Sequence, residues 1–171
     1  MIPETLRTER LLLRGWRDED VGALAEIYAQ PEYVEHNERH GPHGARCHVL
    51  GFARAWREEG FSLWAAEELE SGRLVGRIGL IRHHDWPLAP DPVEVGWALH
   101  RDWWGRGLAT EGGRAAIACW RRNLADRRLL SITRPGNARS RAVMERLGLT
   151  YRGDARWRGR DVVWYAVDRE P

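Results

Sequence analysis

The sequence contains no lysine, although 27 of its 171 residues are basic, and each of the 27 is an arginine. This absence excludes two kinds of chemistry, because a Walker-type phosphate loop and a pyridoxal phosphate enzyme each need a lysine. The serine elbow G-x-S-x-G is absent too. The 25 acidic residues reduce the formal net charge to +2, which is too small to indicate nucleic-acid binding.

Cysteine and long apolar runs are also scarce. Cys47 and Cys119 fall in separate predicted helices, which argues against a disulfide or a cysteine zinc site and favours two buried, small hydrophobic side chains. No apolar stretch approaches the roughly 20 residues that a membrane-spanning helix needs. The first residues lack the apolar core of a secretory signal. We therefore expect a cytoplasmic protein without a membrane partner.

The length and composition are typical of one compact domain. Apolar side chains make up 43% of the chain and charged side chains 30%, enough to bury a core without disulfides or metals. We expect a single domain over residues 1–171. The ten tryptophans recur mostly at helix or strand spacing, so core packing explains them better than base stacking.

The order of predicted elements indicates a mixed α/β (α+β) fold, with a mostly antiparallel sheet flanked by helices. An opening strand is predicted over 5–16, and Asp18 is predicted to cap a helix that ends before Pro31. The segment 32–44, rich in His and Gly, is predicted to be a loop. Further helices are predicted at 45–59, 108–124 and 138–147, and further strands at 61–69, 73–83, 93–99, 129–133, 149–153 and 161–167.

The predicted strand at 93–99 has two unlike faces, because alternate side chains point to opposite sides of a sheet. One face is apolar and consists of Val93, Val95, Trp97 and Leu99. The other face is open and consists of Glu94, Gly96 and Ala98. A glycine within a strand often marks a place where another backbone or a ligand comes close. We therefore predict that a ligand can lie against this open face of the strand.

A turn rich in small residues leads from this strand into the next helix, and it consists of Trp104, Gly105, Arg106, Gly107, Leu108, Ala109 and Thr110. Without Cβ atoms in the way, successive backbone N–H groups can converge on a phosphate, and the helix N-terminus adds a partial positive charge. The turn predicts a diphosphate site, with an ordinary strand-to-helix turn as the alternative. A dinucleotide-binding fingerprint fits poorly, because Thr110 stands where a third glycine or alanine is needed.

Four motifs, in the same order along the chain, resemble the GNAT superfamily of N-acetyltransferases. They are T-E-R-L-x-L-R at 8–14, V-E-V-G-W at 93–97, G-R-G-L-A-T-E at 105–111 and N-A-R-S-R-A-V-M-E-R-L-G at 137–148. Gly107 and Ala109 match the end of the family's phosphate motif, Q/R-x-x-G-x-G/A, whereas Trp104 stands where a basic or amide residue is expected. With a tryptophan at this position, the motif is similar to that of the branch that contains RimJ and RimL, the ribosomal-protein N-terminal acetyltransferases.

The resemblance implies a GNAT-like fold over nearly the whole chain and acetyl-coenzyme A as cosubstrate, with no metal. The pantetheine arm would lie along the 93–99 strand, with backbone contacts at Trp97, Ala98 and Leu99, and the diphosphate would lie in the 104–110 turn. Asn137 and Ser140 would flank the thioester. Phosphates could also meet the side chains of Arg106, Arg139 and Arg141, for which a solvated surface role is the alternative.

Glu94 and Ser140 are the candidate catalytic residues. An alkylamine has a pKa near ~10, so a base must remove its proton, and Glu94 faces the open side of its strand. A structural salt bridge with an arginine is the alternative for Glu94. Ser140 would protonate the leaving thiolate, as in the RimL-like branch, or would only support a helix start beside Asn137. Glu111 and Asp102 are weaker candidates for the base.

The identity of the acceptor stays open: it is a primary amine of a protein N-terminus or of a small molecule. Polar residues of the 32–44 loop are expected to recognise it. Four histidines, His36, His40, His43 and His48, also suggest a metal site, but the Gly and Pro of this segment disfavour one. A non-catalytic acyl-coenzyme A sensor and a nucleic-acid binder are the rival functions, and the balanced charge disfavours the second. The sequence does not decide between a monomer and a homodimer.

Overall fold

The computed structural model describes residues 1–38 and 40–169, in which eight strands form one sheet. The strands are β1 Leu6–Arg7, β2 Leu11–Arg14, β3 Leu63–Glu68, β4 Leu74–Arg82, β5 Val93–Leu99, β6 Arg128–Thr133, β7 Thr150–Trp157 and β8 Arg160–Asp168. The helices are α1 Asp20–Ala29, α2 Pro31–Val34, α3 Pro42–Glu59, α4 Leu108–Asn123 and α5 Ala138–Arg146, with a short 3-10 turn at Arg101–Trp103. In this part of the chain, no helix has the length and apolarity needed to cross a membrane.

The strands lie in the order β1-β2-β3-β4-β5-β6-β8-β7. All neighbours are antiparallel except β5 and β6, which confirms the predicted mixed, mostly antiparallel sheet. The parallel pair is short: Val93 lies opposite Leu129 and Glu94 opposite Leu130. Since β5 continues to Leu99, the two strands separate after Glu94 and leave a gap within the sheet.

Helices cover both faces of the sheet. Helix α4 packs closely on one face, because a Cβ added to Gly112 would lie 2.5 Å from Cδ1 of Ile78 on β4. Gly112 lowers the intrinsic stability of the helix, but it allows this close approach. Helices α1 and α3 pack on the opposite face. There Tyr28 of α1 and Phe52 of α3 lie next to Arg77, the residue that precedes Ile78 on β4.

The tryptophans belong to the core, as predicted. Trp56, Trp64, Trp86 and Trp120 are buried, and the other six are half-buried. The prediction for the cysteines is right for one of the two. Cys119 is buried in α4, whereas Cys47 is exposed. Cys47 is exposed because α3 buries the stripe formed by Ala45, Val49, Phe52 and Trp56, and position 47 lies off that stripe.

The chain from 5 to 20 differs from its prediction. The expected strand 5–16 is two strands, β1 and β2, joined by a turn in which Thr8 N–H donates to Leu11 O over 2.9 Å. The expected cap at Asp18 is wrong, because α1 begins at Asp20 and its N-cap is Glu19. The buried Asp20 carboxylate accepts from Arg17 N–H and pairs at two points with Arg14, over 2.8 and 2.9 Å. This buried ion pair fixes the start of α1.

The predicted loop 32–44 is also partly helical. A proline opens each of the two helices in this region, Pro31 in α2 and Pro42 in α3. Proline suits the first helical turn, where its missing N–H has no partner to lose, so α3 begins three residues before its predicted start. The strand predicted at 149–153 is longer than expected, because β7 continues to Trp157. The remaining helices and strands lie close to their predicted positions, and β5 spans the predicted 93–99.

Candidate active site

The candidate site is the gap between β5 and β6. From Val95 to Leu99, β5 pairs with β4 on one side, and no described residue of β6 pairs with it on the other. An extended ligand could bind this backbone edge as an added strand would. The predicted contact residues Trp97, Ala98 and Leu99 lie on β5; the backbone groups of Trp97 and Leu99 face this edge, whereas those of Ala98 face Arg77 on β4. One group there is already occupied, because the indole N–H of Trp104 donates to Leu99 O over 2.8 Å.

Glu94 lies at the closed end of the gap, and both of its carboxylate oxygens have partners. Oε1 accepts a hydrogen bond from Ile132 N–H over 3.1 Å, and Oε2 lies 2.5 Å from His83 Nε2. Trp157 packs edge-on against His83, with 4.7 Å between ring centres. No arginine among the described residues lies within ion-pair distance of Glu94. The alternative role of a salt bridge with arginine therefore has no support, but a histidine takes part instead.

His83 was missed by the sequence analysis. The residue ends the predicted strand 73–83, and nothing in its spacing distinguishes it from the other histidines. The signal lies in the antiparallel pairing, because Arg82 lies opposite Val93. Side chains alternate along both strands, so His83 and Glu94 share a face at the end of the pair.

Gly96 leaves open space in front of Glu94. A Cβ added there would lie 3.8 Å from Glu94 Oε1 and 3.9 Å from Leu63 Cδ2, which are ordinary contact distances. An alanine would thus fit at this position, and only a longer side chain would fill the space in front of Glu94, which we call the cleft. Packing within the protein does not require this glycine, so a ligand has room beside the Glu94 carboxylate.

The glycine-rich turn is left-handed at both of its glycines. Gly105 and Gly107 have φ values of +73° and +79°, in the left-handed region that favours glycine. Gly107 is the N-cap of α4, and no side chain caps the helix. The first backbone bond of α4 joins Glu111 N–H to Gly107 O, so the N–H groups of the first turn are available to an anion.

Glu111 takes part in hydrogen bonds that connect this turn to the segment between β1 and β2. Its carboxylate accepts from Thr8 Oγ1 over 2.6 Å and from Arg10 N–H over 2.8 Å, and Arg10 also donates to Arg106 O over 2.7 Å. Burial favours a higher pKa for Glu111, but the hydrogen bonds from Thr8 and Arg10 outweigh it and lower the pKa. These contacts explain the acid in structural terms. The other weak candidate, Asp102, is exposed beside Arg101.

Two arginines stack on the tryptophans of the turn. The guanidinium of Arg106 lies 4.7 Å from the ring centre of Trp103, and that of Arg139 lies 4.8 Å from the ring centre of Trp104. Trp104 therefore holds a positive charge beside the turn, at the motif position where the family has a basic or amide residue. Arg141 is engaged elsewhere, since it donates to Tyr165 Oη over 3.0 Å.

Asn137 and Ser140 lie at the start of α5. Asn137 is the N-cap, and its Oδ1 accepts from the backbone N–H of Ser140 over 3.1 Å. The Ser140 hydroxyl makes no hydrogen bond with the described residues. The helix start therefore depends on the backbone of Ser140 and not on its side chain, which leaves the hydroxyl available for another partner.

A polar aromatic cluster lies under α1 and α3, on the same face of the sheet as Glu94. Tyr28 stacks on Tyr33 with 4.7 Å between ring centres, and its hydroxyl lies 2.9 Å from His48 Nδ1. The ring centres of His40 and His48 are 4.6 Å apart. Burial lowers the pKa of His48 to about 4 and raises the pKa of Tyr28 to about 12, so both are neutral near pH 7.

The four histidines of the metal hypothesis do not converge. His43 contacts exposed Cys47 over 3.6 Å, and His36 lies 3.9 Å from Glu35. Within residues 1–38 and 40–169, no group of three or more His, Cys, Asp or Glu side chains is arranged to hold a metal ion. His40 and His48 line the cluster with Tyr28, which places them where an acceptor could be recognised.

Comparison with known proteins agrees with this geometry. The family model of the acetyltransferase (GNAT) domain matches residues 10–150. An uncharacterized protein of Bacillus subtilis strain 168, YkkB, is 27% identical over 149 residues, which cover 85% of each chain. The crystal structure of an acetyltransferase from Agrobacterium tumefaciens strain C58 has a TM-score of 0.83 and 29% identity, covering 99% of this chain and 96% of its own. RimL, a ribosomal L7/L12 alpha-N-protein acetyltransferase solved with coenzyme A, shares the fold with a TM-score of 0.74 and 20% identity, covering 98% and 97%.

Proposed function

Because the chain belongs to the GNAT acetyltransferase family, we propose that it is an N-acetyltransferase that moves the acetyl group of acetyl-coenzyme A to a primary amine. The amine attacks the thioester directly, in a complex that holds both substrates. The observation that carries this proposal is the gap between β5 and β6, with Glu94 at its closed end and the glycine-rich turn following the end of β5.

The coenzyme would bind along the gap. The pantetheine arm would follow the free edge of β5 at the backbone groups of Trp97 and at the N–H of Leu99, since Leu99 O is bonded to Trp104 and the backbone of Ala98 faces Arg77 on β4. The diphosphate would accept from the N–H groups of residues 105–110, whose left-handed glycines expose them. Asn137 and Ser140 would lie near the thioester. The RimL structure that shares this fold was solved with coenzyme A, which supports the cosubstrate.

The chemistry follows from these positions. Glu94 would take a proton from the ammonium, directly or through water, so that the neutral amine can attack the carbonyl carbon of the thioester. A C–N bond then forms, and the carbonyl oxygen gains a negative charge that backbone N–H groups of β5 would stabilise. The nitrogen of this intermediate loses its surplus proton to water. Collapse then breaks the C–S bond, and Ser140 would give the departing thiolate a proton that solvent returns. The products are an N-acetylated amine and free coenzyme A.

A screen for released thiol tests the proposal. We expect coenzyme A release from acetyl-coenzyme A to depend on the added amine in a panel of amino acids, polyamines, aminoglycosides and peptides with free N-termini. Calorimetry on the same preparation measures coenzyme binding. Binding without amine-dependent thiol release would instead indicate the rival function, an acyl-coenzyme A sensor in which Glu94 and Ser140 have only structural roles.

A further inference from the structure

Arg77 of β4 holds a positive charge in the cleft without a carboxylate partner. Its guanidinium carbon lies 6.0 Å from the ring centre of Tyr28 and 6.0 Å from that of Phe52. The side chain is half-buried, and its Nε is enclosed without a hydrogen-bond partner. Among the described residues, no acid forms an ion pair with Arg77; the phenol groups of Tyr28 and Tyr33 are its polar neighbours, and the charge of Glu94 acts on it from a longer distance.

Two other enclosed arginines, Arg14 and Arg82, are paired with acids, whereas Arg134 and Arg169, like Arg77, have no acid within ion-pair distance among the described residues. Arg14, which is buried, lies 2.8 Å from an Asp20 oxygen and 2.9 Å from a Glu67 oxygen. Arg82, further along β4, pairs with both Glu59 and Asp126. Removing a guanidinium from water is unfavourable unless it is paired, and arginine does not lose its proton to escape that cost. Arg77 therefore differs from Arg14 and Arg82, whose ion pairs explain them as structural, and its place on the open face of the sheet separates it from the other arginines without an acid.

Arg77 and Glu94 face the same side of the sheet. In the β4–β5 pair, Arg77 lies opposite Ala98. Ala98 and Glu94 share the open face of β5, with Gly96 between them. The four residue steps from Glu94 to Ala98 span about 13 Å along the backbone, and the long arginine side chain can shorten that span. The cleft thus has a cation on one side of the Gly96 space and the Glu94 carboxylate on the other.

The surroundings of Arg77 keep it suited to an anion. Tyr28 and His48 are neutral near pH 7, so neither cancels its charge. Against the effect of burial, the Glu94 charge helps to raise the pKa of Arg77, but both Glu94 oxygens are taken by His83 and by Ile132 N–H, so Glu94 forms no ion pair with Arg77. The two aromatic rings restrict the guanidinium, whose planar donors match both oxygens of a carboxylate. A second positive charge, as in a polyamine, would be repelled here.

We propose that the acceptor amine also carries a carboxylate, which Arg77 binds while the amine faces Glu94. This inference rests on the proposed acetyl transfer. It names one chemistry with two sources: a free amino-acid-like molecule, or a protein N-terminus with an acidic side chain near it. Arg77 acts as a specificity residue, so its loss should affect acceptor binding far more than coenzyme binding.

Matched acceptor pairs test the proposal. The first arm compares glycine, longer ω-amino acids and L-amino acids with their carboxamides. The second arm compares peptide amides that have Asp or Glu at the first two positions with the same peptides carrying Asn or Gln. We expect the carboxylate member to exceed its amide at least 10-fold in kcat/KM, in the arm that contains the true source. Ratios within twofold in both arms would overturn the inference while leaving the acetyl transfer intact.

Variants of Arg77 test whether this residue causes the preference for a carboxylate over its amide. Arg77→Gln and Arg77→Met should bring the ratio of kcat/KM for the carboxylate acceptor to that for its amide close to one, mainly through KM. Arg77→Lys should keep part of the preference. Arg121→Gln is the matched control, because it removes the same charge from an exposed position on α4, across the sheet. A preference that survives Arg77→Gln would also overturn the inference. Calorimetry measures the same preference without turnover: the N-acetylated carboxylate and amide of each pair are titrated into the complex of the protein with coenzyme A. A preparation without acetyl-transfer activity therefore still tests the carboxylate preference.

Discussion

The carboxylate of Glu94 accepts a hydrogen bond of 3.1 Å from the backbone N–H of Ile132, across the point where β5 and β6 separate. The bond continues the connection between two strands that no longer pair there. A single side chain thus closes the end of the gap in which the coenzyme is proposed to bind. His83 holds the other carboxylate oxygen, so the orientation of Glu94 is set from both sides.

Replacing Glu94 by Gln separates its chemical role from this structural one. Glutamine keeps an oxygen that can accept from Ile132 N–H, but it cannot take a proton from the amine. We expect turnover at neutral pH to fall roughly 10²-fold or more, with coenzyme affinity nearly unchanged and the rate recovering at high pH as free amine accumulates. Initial rates from pH 6 to 10 and calorimetry with coenzyme A measure both. A rate equal to that of the unaltered protein at neutral pH would show that Glu94 is not the base.

Much of this site could be predicted from the sequence, because the local pattern determines it. The alternation at 93–99 gives the two faces of β5, and the small residues at 105 and 107 give the turn. Asn137 is recognisable as a cap by its residue type and its place before a helix. The family resemblance added the expected order of these parts along the chain, and the match over residues 10–150 confirms the family.

The missed features depend on contacts between distant segments. His83 becomes meaningful only beside Glu94, 11 residues away, through the register of β4 and β5. Arg77 looks like any of the 27 basic residues until the acidic neighbours of each are known. Helix α1 begins at Asp20 and not next to Asp18, and the contact that distinguishes Asp20 is its ion pair with Arg14. Spacing along a chain identifies faces of strands and helices, but not the partners that tertiary packing brings to them.

The turn at Gly107 is predicted to be required for coenzyme binding. Gly107→Val forces a β-branched residue into a φ of +79°, and it adds bulk where a phosphate would approach the backbone. We expect coenzyme A affinity to fall at least 10-fold by calorimetry. The protein itself leaves room, since the nearest atom to an added Cβ is Arg10 Nη2 at 3.5 Å.

Gly72→Val is the matched control for backbone strain. Gly72 has a φ of +66° in the turn between β3 and β4, with open space around an added Cβ. Both variants should lose stability by about 1–2 kcal/mol, but only the change at Gly107 should weaken coenzyme binding. A folded Gly107→Val protein with unchanged affinity would exclude the turn as the phosphate site.

His48 is predicted to make the fold sensitive to acid. Burial lowers its pKa to about 4 in the folded protein, against about 6.5 for an ordinary histidine. Below pH 6.5 the unfolded chain binds a proton that the folded one does not, so stability is fully present above pH 6.5 and is lost as the pH falls towards 4. His48→Gln keeps a polar partner for the Tyr28 hydroxyl and cannot titrate in this range.

Urea unfolding at pH 7 and pH 5 measures this effect. The loss of unfolding free energy between the two pH values should be smaller in His48→Gln by about 1 kcal/mol, a figure discounted for the partial exposure of the side chain. His84→Gln provides a control of opposite sign, because the hydrogen bond to Asp91 raises the pKa of exposed His84. Removing His84 should not reduce the acid sensitivity. Equal losses in His48→Gln and the unaltered protein would contradict the prediction.

Ser140 is predicted to assist the departure of coenzyme A. A thiolate with a pKa near ~8–9 can leave unprotonated at modest cost, so the help of a hydroxyl is limited. We expect Ser140→Ala to reduce turnover by about 10- to 10²-fold. Ser140→Cys retains a proton donor and should recover part of the lost rate.

The structure makes this a clean test, because the helix start uses the backbone N–H of Ser140, which alanine keeps. Ser140→Ala should therefore leave the melting temperature nearly unchanged. Asn137→Ala removes the acceptor of that bond and should cost roughly 1 kcal/mol of unfolding free energy, which calibrates a real loss of the cap. Turnover per folded molecule and thermal unfolding are measured on the same preparations. If Ser140→Ala lowers stability as Asn137→Ala does and retains full activity, Ser140 supports the helix and takes no part in the reaction.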